Sequence, residues 1–218
     1  MTVWRPLPAE RLFLYSPVGF RLVDDLTGQA PFGALDIALD VQNGADWREG
    51  DRDAVTTASG VVIFPGLGLA IDLTQPALTH RLRVTSPYYR PLFRATSDGL
   101  SFAVPPWDHA HPPAPLTTRT TPLALLPAAA YPFAPHLAVL RGVVEDVNGN
   151  PVADVLVQEG LRERTLTDER GAFSLSLRWV VPGVATTITA TDQRGARSGS
   201  IAITLPGALI SGQTITVS

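Results

Sequence analysis

The chain has no lysine and no cysteine, one methionine, and no long apolar run. Each absence removes chemistry. Without lysine there is no Walker-type phosphate loop, no Schiff-base anchor for pyridoxal phosphate and no Lys–Asn isopeptide staple. Without cysteine there is no disulfide, thiolate zinc site, iron–sulfur cluster or cysteine nucleophile. No apolar stretch approaches the ~18 residues of a membrane span. All positive charge is arginine, and a net charge of −3 over 218 residues gives no basic surface of the kind nucleic acid selects. Met1–Glu10 holds Arg5, Pro6, Pro8 and Glu10 and lacks the basic start and apolar core of a secretory signal. Export by the general route is therefore not expected.

What is present is turn chemistry and short strands. There are 18 glycines and 20 prolines, above the usual share of ~12% for the pair. Helical periodicity is scarce. Its best stretch, Leu123–Ala130, is broken by Pro127 and flanked by Pro122 and Pro132. Strand signals dominate: Phe20–Val23, Leu35–Val41, Val61–Phe64, His80–Thr85, Leu140–Val144, Val155–Gln158, Ala172–Leu177, Thr186–Thr191, Ser200–Thr204 and Thr214–Val217. Leu35, Ile37 and Leu39 alternate with Asp36, Ala38 and Asp40, the pattern of a strand with one wet face.

Between Val104 and Pro135 the character changes. Pro105, Pro106, Pro112, Pro113, Pro115, Pro122, Pro127, Pro132 and Pro135 crowd a segment whose only charges are Asp108 and Arg119. Proline at this density favours a stiff, extended path. The expected organisation is a first domain over 1–104, a Pro-rich linker or docking arm over 105–136, and a second domain over 137–218.

The two flanking parts read as copies. Phe20–Pro31 (FRLVDDLTGQAP) followed by Leu35–Asp40 matches Leu140–Pro151 (LRGVVEDVNGNP) followed by Val155–Gln158. In each, an Asp (Asp25 or Asp146) is placed to bond its own turn backbone, and a Gly (Gly28 or Gly149) to take positive φ. Val55–Phe64 (VTTASGVVIF) matches Leu166–Leu175 (LTDERGAFSL), each a hairpin with Gly60 or Gly171 just before the returning strand. A fainter pair is His80–Thr85 against Thr186–Thr191. The copies lose register by about ten residues between the first two matches, which points to an insertion at the polar loop Asn43–Arg52.

Arg141–Val157 (RGVVEDVNGNPVADVLV) and Thr167–Phe173 (TDERGAF) together resemble the carboxypeptidase regulatory-like domain. The resemblance covers residues 138–218 and implies a transthyretin-like (prealbumin-like) β-sandwich used for contact or packing, with no active site to transfer. Residues 10–100 look like a diverged copy. The fold expected is thus all-β: two tandem transthyretin-like (Ig-like) sandwiches joined by a Pro-rich extended segment. In general architecture the chain also resembles small accessory proteins of phage tails and contractile injection particles, an analogy of build alone.

Several residues are candidates for function. His109 and His111, if on a strand, put two imidazoles on one face and are the metal candidates; the alternative is that they sit in a Pro-rich linker between Pro106 and Pro112, solvated or packed on Trp107. No G-x-S-x-G elbow exists to hold a hydrolase triad among His80, His136 and their neighbours. The chain also ends Thr216-Val-Ser218, not in the Tyr-Arg-Gly-Ser of ureide-hydrolysing transthyretin-fold enzymes. Asp46, Glu49, Asp51 and Asp53 cluster beside Trp47, as a calcium loop or a solvated hairpin tip. Tyr88, Tyr89, Phe93, Phe102 and Trp107 serve packing, a protein interface or glycan stacking. Leu123, Leu125, Leu126, Tyr131 and Phe133 are too apolar for a solvated linker, so they pack on their own sandwiches or on a partner.

The sequence therefore points to a non-enzymatic structural component without a cofactor. It would dock other protein subunits, including copies of itself, in a virion-like or extracellular particle. The alternatives are a glycan- or surface-binding adhesion module and a small hydrolase.

Overall fold

The computed structural model describes residues 15–160 and 162–218. The stretch Met1–Glu10, on which the export expectation rests, lies outside the described residues. The first part holds β1 (Gly19–Asp24), β2 (Asp36–Asn43), β3 (Asp46–Glu49), β4 (Val55–Thr56), β5 (Val61–Ile63), β6 (Leu78–Thr85), β7 (Tyr89–Pro91), β8 (Leu100–Val104) and β9 (Thr120–Pro127). The second holds β10 (Val139–Asp146), β11 (Leu156–Glu159), β12 (Glu163–Leu166), β13 (Ala172–Ser176), β14 (Ala185–Asp192), β15 (Arg197–Thr204) and β16 (Gln213–Val217). The described helical pieces are short 3-10 turns. The protein is all-β.

Sheet order makes the internal repeat explicit. The second sandwich pairs sheet β13-β10-β16 with sheet β12-β11-β14-β15. The first has β5-β1-β9, extended by β4 and β7, against β3-β2-β6-β8. Strand for strand these orders correspond. The unusual member also corresponds: β9 runs parallel to β1, and β16 runs parallel to β10.

This topology corrects the expected boundary. Residues 120–127 are not linker; they are the last strand of the first sandwich, counterpart of β16. Prolines are tolerated there because of where they fall. The Leu125 carbonyl faces β1, accepting from Asp25 N at 3.0 Å. Strand alternation then turns Pro122 to the other side. On that side β7 reaches only Leu125–Pro127, so the missing N–H of Pro122 removes no ladder bond.

The expected insertion at Asn43–Arg52 takes the form of a strand and the stretch after it. Asp46–Glu49 pairs with β2 across a tight Gly44-Ala45 turn and holds the sheet position of β12. The first copy is longer because two strands, β3 and β4, stand where the second has β12, with Gly50–Ala54 between them.

The turns follow the sequence chemistry with one shift. Gly28, Gly60, Gly149 and Gly171 have φ of 71°, 75°, 80° and 70°. Asp146 Oδ1 accepts from Asn148 N and Asn150 N at 2.8 and 2.9 Å. In the first copy the residue in that role is Asp24, not Asp25: its Oδ1 accepts from Leu26 N at 2.9 Å. The first turn is one residue longer, which frees Asp25 for another task. At the second hairpin, Asp168 Oδ1 accepts from Arg170 N and Ala172 N, both at 2.9 Å. Thr57 Oγ1 substitutes in the first copy, accepting from Val61 N at 3.1 Å.

Each sandwich has its own core. The first is built on Phe20, Leu22, Leu39, Phe64, Leu82, Tyr89 and Leu125; the second on Leu140, Val144, Val157, Phe173, Leu175, Ile188 and Ile215. Beneath the first core, buried Asp24 Oδ2 accepts hydrogen bonds from Tyr131 Oη at 2.8 Å and Tyr89 Oη at 3.1 Å. Burial pushes the Tyr89 hydroxyl up to about 12, and the Asp24 charge adds to it. Both phenols thus stay protonated donors, and Asp24 ties β1, β7 and the segment after β9 together.

Candidate docking surfaces and the joint between the sandwiches

A third apolar cluster lies between the sandwiches. Leu126 and Ala95 from the first meet Leu156 and Leu166 from the second, with Leu92 against them. Strand alternation explains it: Leu125 points into the first core, so its neighbour Leu126 points out, and it is fully buried by the second sandwich.

Around this cluster polar groups pair across the boundary. Asp154 accepts from Arg90 at 3.0 Å and from Arg94 at 3.1 Å, and Arg194 donates to Asp98 at 3.1 Å. Glu169 accepts from Arg90 at 2.8 Å. Burial works to lower the Arg90 pKa, but the bonds to Glu169 and Asp154 outweigh it and raise the value. The bond from Arg90 holds the Glu169 carboxyl at about 2. At the opposite rim, Asp25 receives both Nε and Nη2 of Arg164, at 2.8 and 2.7 Å. Arg178 donates to Leu26 O at 2.8 Å and to Glu163 at 2.6 Å.

Backbone of the expected linker completes the seal. Thr165 Oγ1 donates to Pro127 O at 2.6 Å, and Ser174 Oγ to Ala129 O at 3.2 Å. The end of β9 and the residues after it thus lie against β12 and β13, one edge strand from each sheet of the second sandwich. Unpaired edges invite foreign strands, and here the chain covers them itself.

The interface candidates read from sequence are placed differently. Leu123, Leu125 and Tyr131 belong to the first core, and Leu126 to the joint. Tyr89 and Trp107 are buried, Trp107 Nε1 donating to Leu67 O at 2.6 Å. Tyr88 and Phe133 are partly buried against the first core. The apolar groups of the Pro-rich segment therefore pack on their own chain. Composition showed that they needed cover; it did not show from which side.

His109 and His111 do not lie on a strand. They are exposed in a bend where Asp108 Oδ1 bonds His111 N at 2.7 Å and Nδ1 at 3.0 Å. No group of three His, Cys, Asp or Glu capable of holding a metal occurs among the described residues. His80 is buried, stacked on Phe102, and burial lowers its pKa. The acidic loop is a solvated hairpin, and Arg81 covers the Trp47 ring at 4.6 Å. No described helix is long and apolar enough to cross a membrane.

The exposed large apolar side chains are elsewhere; Phe32, Val55 and Val147 are scattered, and the others fall at two places. One is the far end of the first sandwich, where the loop between β5 and β6 exposes Leu69, Ile71 (105%) and Leu73, with Leu78 beside them. Leu69 and Leu78 line a cleft of about 340 Å³. The other is the end of the second sandwich where β13 and β15 leave. There Trp179, Val181, Val184, Leu209 and Ile210 (88%) stand exposed. The sequence offers one signal for the second group: Trp179-Val-Val-Pro-Gly-Val184 and Leu205-Pro-Gly-Ala-Leu-Ile210 are apolar turns, and a merely solvated turn is polar.

No family model matches the chain, and no curated protein matches it. The carboxypeptidase regulatory-like resemblance thus has no support from either comparison. Among solved structures it is similar to the Bacillus anthracis TIE protein, at 12% identity over 93% of this chain and 33% of that one, with a TM-score of 0.29. It is similar also to a point mutant of the shaft pilin SpaA from Lactobacillus rhamnosus GG, at 10% identity over 93% and 97%, TM-score 0.27. A third is the pilus adhesin SpaC of the same organism, at 13% over 92% and 30%, TM-score 0.22. The chain spans about a third of the first and third of these. Likeness at this level carries no functional argument.

Proposed function

We propose that this protein is a non-enzymatic structural or assembly component that works by docking to other protein subunits. The observation that carries this reading is the distribution of apolar surface. The chain seals its sandwich joint with an apolar cluster and ion pairs, yet leaves large apolar side chains of both sandwiches exposed, Ile71 and Leu78 on the first and Trp179 and Ile210 on the second. Monomeric proteins rarely keep such patches free. Its setting, on this reading, is an extracellular or virion-like particle, and the second sandwich serves as a contact module of the carboxypeptidase regulatory-like kind.

The adhesion alternative loses Trp107 as an exposed stacking ring, since it is buried. The test is the mass of the native material under gentle extraction. A mass of several chains is expected; a lone chain, together with hydrolysis in a broad esterase screen, would overturn the reading.

A further inference from the structure

The chain has three asparagines, Asn43, Asn148 and Asn150, and all three are exposed at turns. Glycine follows the first two and proline the third. We propose that Asn43 is a site of spontaneous covalent modification, at which the Gly44 nitrogen displaces the side-chain amide. The turn that holds Asn148 spares it, and proline spares Asn150.

The chemistry needs a backbone nitrogen free to attack and a side chain free to swing onto it. The Gly44 nitrogen gives up its proton to water and bonds to Asn43 Cγ. The Cγ–Nδ2 bond breaks, and Nδ2 takes up a proton and leaves as ammonia. Water then opens the cyclic imide at either carbonyl, so that position 43 becomes aspartate or isoaspartate. Nothing is oxidised or reduced, and water is the only co-reactant. Glycine favours the first step because it has no side chain to crowd its nitrogen.

The two Asn-Gly pairs meet this need differently. Gly44 and Ala45 form the tight turn between β2 and β3, closed by the pair Asn43 and Asp46. Gly44 takes φ of 65°, as the first central residue of such a turn requires. Neither its N–H nor the exposed Asn43 side chain has a hydrogen-bond partner among the described residues. Asn148 is held the opposite way. Its own N–H donates to Asp146 Oδ1 at 2.8 Å. The Gly149 N–H, on the nitrogen that would attack, donates to Asp146 O at 3.0 Å. Attack there has to break the turn first. Asn150 precedes Pro151, whose nitrogen has no proton to give up, and its Nδ2 donates to Asp146 Oδ2 at 3.1 Å.

The product bears on the first sandwich. Either form places a new carboxylate directly across the ladder from Asp46, and like charges in that position repel. Isoaspartate also routes the main chain through Cβ. That lengthens a turn whose length fixes the register of the hairpin. β3 is an edge strand held by four residue pairs to β2, so it is expected to loosen. Trp47 then loses the Arg81 guanidinium that covers its ring at 4.6 Å.

Peptide mapping by mass spectrometry tests this on the freshly purified full chain, incubated at mildly alkaline pH in heavy-oxygen water. Acid carrying heavy oxygen is expected at position 43. Its formation should be at least about tenfold faster than at position 148, a difference of about 1.4 kcal/mol in activation free energy. In concentrated urea, where the turns are gone, the two Asn-Gly pairs should react at similar rates. Asn43→Gln should remove the early change and keep the wild-type melting curve. Amide exchange in β3 should quicken as the modified fraction grows. An unmodified position 43, or loss at 148 as fast as at 43 in the folded chain, would overturn the inference. So would a gap between the two sites that persists unchanged in urea, since the turns would then not be its cause. Unaltered exchange in β3 would overturn the loosening.

Discussion

Leu125→Ala and Leu126→Ala change adjacent, fully buried leucines of one strand and should fail in different ways. Leu125 faces the first core beside Phe64 and Tyr89; Leu126 faces Ala95, Leu156 and Leu166 across the joint. Truncating a fully buried leucine costs roughly 2–5 kcal/mol, the lost transfer energy plus a cavity term. Both side chains are fully buried, so about 3 kcal/mol is expected for each. For Leu125→Ala that loss falls on the first sandwich. For Leu126→Ala neither sandwich core loses an atom, so the loss falls on their coupling. Urea unfolding followed by amide hydrogen exchange separates the cases, reading β1 for the first sandwich and β14 for the second. Leu125→Ala should lower protection in β1 most. Leu126→Ala should split one transition into two. If Leu126→Ala shifts the midpoint by less than about 1 kcal/mol and β1 and β14 still open together, the apolar joint does not couple the sandwiches, and the reasoning fails.

Three further outcomes follow from the same geometry. Asp154→Ala strips Arg90 and Arg94 of their shared acceptor; with Glu169 still holding Arg90, a loss of about 3 kcal/mol is expected, measured by chemical denaturation. Gly171→Ala should destabilise the second sandwich by more than about 1 kcal/mol, because φ is positive and a Cβ would lie 2.4 Å from Val144 O, a clash visible as a lowered melting temperature. The bond from Arg90 holds Glu169 at about 2, below its unfolded value near 4.5, so its contribution is present above that pH and lost as pH falls toward 2. Melting temperature should fall through that window, and Glu169→Gln should flatten part of the fall; an unchanged profile would remove Glu169 from the joint's energetics.

Local chemistry was legible in the sequence. The Asp-x-x-Gly turns, the hairpin glycines and the period-two runs each depend on neighbours within a few residues, and each has its place in the repeat. Errors arose where the partner is remote. Proline density around Pro122 and Pro127 reads as a linker because proline lacks a donor. Only the sheet order shows that β9 has an open side on which Pro122 needs none. The turn cap falls on Asp24 because the first turn is one residue longer, and the freed Asp25 takes Arg164, far along the chain, as its partner. Neither apolar end was singled out, because exposure of a Val or Ile is decided by what packs over it.

The missing lysine and cysteine still say that no disulfide and no Lys–Asn isopeptide bond holds these domains. Sequence by itself determined the all-β build and the repeat, because alternation and turn residues act locally. Tertiary structure decided that the Pro-rich segment ends one sandwich and seals the next. It also decided that Leu126 belongs to a joint and that the free surface lies at Ile71 and Trp179. Those facts depend on which faces meet across the fold, and a one-dimensional pattern does not carry them.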